Sequence, residues 1–149
     1  MAQRSNLFPH LNSIQIFDFA DSLDDFDSLL TSTPYAKEIC IVAKVAFHSG
    51  TLAGLGSGRI CPNLEIIELY TVLGAREILE MVRVRQENAH FYSNGEGDGI
   101  QVKAFTNVTI VADDWKPIGA DFLVQSLRKS GVKANVSWQC LSKYREYLC

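Results

Sequence analysis

Leu64-Glu65-Ile66-Ile67-Glu68-Leu69, the stretch LEIIEL, sets apolar side chains at its first, fourth and sixth positions. Positions four and six are two residues apart, so on an extended chain Ile67 and Leu69 point to one side. Leu64 stands where the chain enters that strand and also faces inward. The template recurs around it. Leu11, Ile14 and Ile16 fill it in LNSIQI; Ala36, Ile39 and Ile41 in AKEICI; Phe105, Val108 and Ile110 in FTNVTI. The first positions are 25, 28 and 41 residues apart. A further alternating run follows in VKANVSW, with Val132, Ala134, Val136 and Trp138.

Helix-like stretches lie between these strands. Ser22-Leu23-Asp24-Asp25 offers an N-cap and an acidic first turn ahead of Phe26, Leu29 and Leu30, and Pro34 ends that helix. Residues Ala75 to Asn88 carry Ile78, Leu79 and Val82 on one face with charges opposite. Residues Ala120 to Ser130 carry Phe122, Leu123 and Leu127, with Gly131 as a left-handed stop. After the second strand, AFHSGTLAGLGSGRICP holds four glycines, which predicts a short helical turn or an irregular loop. His90 to Gly99, HFYSNGEGDG, reads as a polar surface insertion.

A strand of about six residues followed by a helix, at intervals near 25–28, is the leucine-rich-repeat plan. The expected fold is therefore α/β: a right-handed solenoid over residues 1–149, with a mostly parallel sheet of about five short strands and helices on its convex side. Repeat arrays need capped ends, and Leu141 to Leu148 is the expected C-terminal cap. No equivalent precedes the first strand, which points to a longer parent chain or a partner covering that end. The alternative is a small ferredoxin-like ligand-binding or enzymatic domain, whose strands would pair antiparallel.

The run ICPNLEIIELYTV, followed by REILEMVRVRQ, VTIVADDW and FLVQSLRKSGVKANVSW, resembles the C-terminal repeats of fungal F-box/leucine-rich-repeat proteins. The Cys-Pro-Asn-Leu entry at Cys61 to Leu64 is its most characteristic piece. The resemblance implies a curved solenoid that recognises substrates for a cullin-type ubiquitin ligase. Ten residues precede Leu11, too few for F-box helices, so it carries over recognition and not recruitment of a ligase adaptor.

Net charge is −3 with Lys and Arg scattered, so a basic surface for nucleic acid or an anionic membrane is not expected. No apolar run reaches the ~20 residues that span a bilayer. Cys40, Cys61, Cys140 and Cys149 form no Cys-x-x-Cys pair and have no histidine at ligand spacing. With no apolar leader at the start, they read as free thiols of a cytoplasmic or nuclear protein.

The motifs that suggest chemistry do not complete. Gly54-Leu55-Gly56-Ser57-Gly58-Arg59 lacks the Gly-Lys-Ser/Thr ending of a phosphate loop, and Arg59 stands where a dinucleotide fingerprint needs its last glycine. Asn94 to Gly99 matches a calcium loop in composition only, because Phe105 occupies the position of its closing glutamate. Asp113-Asp114 would point apart on an extended chain. His10, His48 and His90 match no hydrolase pattern, and Cys40 reads as an ordinary strand residue. The expectation is a protein without catalytic residues, metal or cofactor.

If positions four and six face the core, positions three, five and seven face the concave side. Position seven then supplies Phe17, Val42, Tyr70 and Val111, an apolar column on a nominally open surface. Such a column with a polar rim is what an interface presents. Phe17 and Tyr70 are the expected anchors for a protein partner, with Glu38 and Glu68 as an acidic edge suited to a basic segment.

Overall fold

The computed structural model describes residues 12–17, 28–42, 47–93, 101–112 and 116–138. Among the described residues there are five strands: β1 (Ser13–Phe17), β2 (Glu38–Val42), β3 (Ile66–Val72), β4 (Asn107–Ala112) and β5 (Lys133–Trp138). They form one sheet in chain order, and every neighbouring pair is parallel. The antiparallel pairing of a ferredoxin-like domain is not what the chain adopts. Between the strands lie α1 (Ser49–Ser57), α2 (Ala75–Ser93) and α3 (Ala120–Lys129), with a helical turn at 28–31.

Register follows the apolar template residue for residue. Ile14, Ile39, Ile67, Val108 and Ala134 pair in one row, and Ile16, Ile41, Leu69, Ile110 and Val136 in the next. The entry residues Ala36, Leu64 and Phe105 are buried. A one-residue slip would turn both rows outward, so burial of a single face pins the register. The backbone repeats as faithfully as the side chains. The carbonyl before each of the first three strands takes two N–H groups from the next unit: Asn12 from Lys37 and Glu38, Lys37 from Glu65 and Ile66, Glu65 from Thr106 and Asn107, at 2.7–3.3 Å.

The helices all pack on the face carrying those two rows, where Leu55, Ile78, Leu79, Val82, Val124 and Leu127 join the strand residues in one core. Three helical expectations need correction. The Gly-rich stretch after β2 forms the nine-residue α1 instead of a short helical turn or an irregular loop. Glycine costs a helix about 1 kcal/mol each, but here the small residues let α1 lie against its neighbours. A Cβ on Gly54 would stand 2.5 Å from Ile60 Cδ1. The last carbonyls of α1 also find partners on α2: Arg85 Nη1 donates to Leu55 O at 2.8 Å and Asn88 Nδ2 to Gly56 O at 2.9 Å.

Next, α2 does not stop at Asn88 but continues to Ser93, so the insertion is helical at its start. Arg83 bridges Glu80 and Glu87 along its exposed side, which favours that extension by a few tenths of a kcal/mol per pair. Finally, Phe122 does not face the core. It is 79% exposed and Ile118 97%, while Ala120, Val124 and Leu127 are buried. The inward stripe of α3 is rotated from the one expected, and Val124 takes the place assigned to Phe122. The C-terminal cap at Leu141 to Leu148, the N-cap at Ser22, the loop 94–99 and the Asp113-Asp114 pair lie outside the described residues.

The Cys-Pro-Asn-Leu entry is a tight turn in which Leu64 N–H donates to Cys61 O at 3.1 Å. Cys61 takes a left-handed φ of 49°, and its thiol meets the carbonyls of Leu30 at 3.5 Å and Thr33 at 3.7 Å in the preceding unit. Burial pushes this thiol up to about 11, against smaller opposing effects of Arg85 and Thr33. The sign is that of a raised acid: its contribution is intact below pH 9 and is lost as pH climbs towards 11. At neutral pH, maleimide should modify Cys61 at least about a hundredfold more slowly than a denatured control, because modification requires local opening. Peptide-resolved mass spectrometry reads the site, and labelling at the denatured rate would show that this turn is not closed.

Candidate binding surface

The face opposite the helices is built from positions three, five and seven. In register, position seven runs Phe17, Val42, Tyr70, Val111 and Ser137 from β1 to β5. Val42, Tyr70 and Val111 are half-buried side chains in an unbroken row on three central strands. Phe17 is paired with Val42 by its backbone, and its side chain lies outside the described residues. Parallel pairing therefore brings the expected apolar column together, because equal spacing within each template puts like positions side by side.

Position five runs Gln15, Cys40, Glu68, Thr109 and Asn135, and position three runs Ser13, Glu38, Ile66, Asn107 and Lys133. Glu68 is half-buried at the centre, and Tyr70 Oη donates to its Oε1 at 3.2 Å. Cys40 stands beside it on β2. Burial, then the Glu68 carboxylate, raises the Cys40 thiol above its ordinary range, and the same two causes raise the Tyr70 hydroxyl. Both groups therefore stay protonated at neutral pH. A thiol held in this way is a poor nucleophile, which suits Cys40 as a strand residue. Glu38 is exposed two rows from Tyr70 and does not join the apolar row. The charge is uneven: two carboxylates lie over β2 and β3, and the opposing Lys133 sits on β5.

Ile66, between Glu38 and Asn107, takes the position-three place that the template gives it on this face and adds an apolar side chain there. One feature lies beyond the sequence reading. The bond from Tyr70 to Glu68 follows from their i,i+2 placement on one side of β3, which the alternation of a strand makes visible in principle. Elsewhere, Gly54 to Arg59 forms no phosphate cradle, because residues up to Ser57 belong to α1. Among the described residues, no group of three or more His, Cys, Asp or Glu is arranged to hold a metal, and no helix is long and apolar enough to cross a membrane. No family model, curated protein or solved structure matches the chain.

Proposed function

We propose that the chain is a leucine-rich-repeat-type solenoid whose open sheet face binds a protein partner, and that it is not an enzyme. The observation that carries this reading is the in-register row Val42–Tyr70–Val111 on the face away from the helices. Parallel strands in chain order with every described helix on one side favour a solenoid over a doubly wound sheet, which would place helices on both faces. Right-handed crossovers follow from the general preference of β-α-β units. Within this reading the chain corresponds to the C-terminal repeats of fungal F-box/leucine-rich-repeat proteins. Its role is then substrate recognition for a cullin-type ligase, in a cytoplasmic or nuclear setting.

A double substitution, Val42→Ala with Tyr70→Ala, tests the face directly. Partners captured by the wild-type chain and measured by surface plasmon resonance should bind at least tenfold more weakly, about 1.4 kcal/mol. The melting temperature should stay nearly unchanged, since these side chains lie outside the core. Undiminished binding removes the site from this face. A large fall in melting temperature would show instead that the residues are structural.

A further inference from the structure

We draw no further inference here: the strongest candidate, the open groove between the C-terminal half of α2, the segment 101–104 before β4 and Ser130 at the end of α3, borders residues 94–100, which lie outside the described residues, and nothing in the structure shows what covers it.

Discussion

Replacing Arg85 by methionine is expected to destabilise the fold by about 4 kcal/mol, because of the backbone groups that this side chain satisfies. Arg85 is 0% exposed and has no carboxylate partner among the described residues; its guanidinium donates to backbone carbonyls. Nε reaches Lys103 O at 2.8 Å, Nη1 reaches Leu55 O at 2.8 Å, and Nη2 reaches the carbonyls of Cys61, Pro62 and Leu64 at 2.9–3.0 Å. The guanidinium also lies 4.8 Å from the Phe105 ring centre. One side chain thus ties the end of α1, the turn into β3 and the segment before β4 to α2. It also holds the carbonyl of left-handed Cys61 in place.

Bonds to a charged donor contribute about 1.5–3 kcal/mol each, and a buried carbonyl left without a partner costs about 1–3 kcal/mol. These contributions are not additive, and desolvating the charge offsets part of them, which brings the net to ~4 kcal/mol. Burial lowers the guanidinium to about 10, so it remains a cation at neutral pH. A lowered base carries a cost of burial that is constant below pH 10 and relieved only above it, so stability near neutrality does not vary through this group. Urea titration of Arg85→Met should show the loss, with a melting temperature lower by ~8–16 °C. Arg85→Lys should recover little, because an ammonium has three donors and no fork. A loss below about 1 kcal/mol would mean that water serves these carbonyls equally well.

Arg85 also marks where the sequence could be read and where it could not. The strands were legible because Ile14, Ile39, Ile67 and Val108 recur at the same place in a six-residue template, and a period of two leaves only one register that buries them. The same alternation put Val42, Tyr70 and Val111 in one row. Side-chain charge misled where tertiary structure overrode it. Arg85 sits three residues after Val82 and four before Ala89, on the apolar face of α2, so its spacing called for burial. The partners that make burial tolerable come from segments up to 30 residues away, which no local pattern displays. The helix α1 was hidden for a related reason. Propensity counts glycine against a helix, while the close approach that rewards it depends on Ile60 and on side chains of α2. The pairing of Glu68 with Tyr70 was half legible: a shared strand face was certain, but the rotamers that join them were not.

Gly58→Ala is the second change expected to be costly, at about 3 kcal/mol or more. Gly58 ends α1 with φ of 84°, and its N–H donates to Leu55 O at 3.3 Å. An L-residue in this left-handed region costs about 1–2 kcal/mol. Space adds a second penalty, because a Cβ here would lie far inside contact distance of Val102 Cγ2. Val102 is buried just before β4, so it cannot swing into solvent to make room. Overpacking a filled core costs about 1–3 kcal/mol, and the two penalties together give the expected loss. A comparison separates them. Val102→Ala on its own opens a cavity and should destabilise the chain, yet in the Gly58→Ala background it should recover part of the loss by removing the clash. Denaturation of the two single variants and the double variant measures that coupling. Strict additivity would show that α1 and the segment before β4 are not in contact at this point, and that backbone strain alone makes glycine necessary.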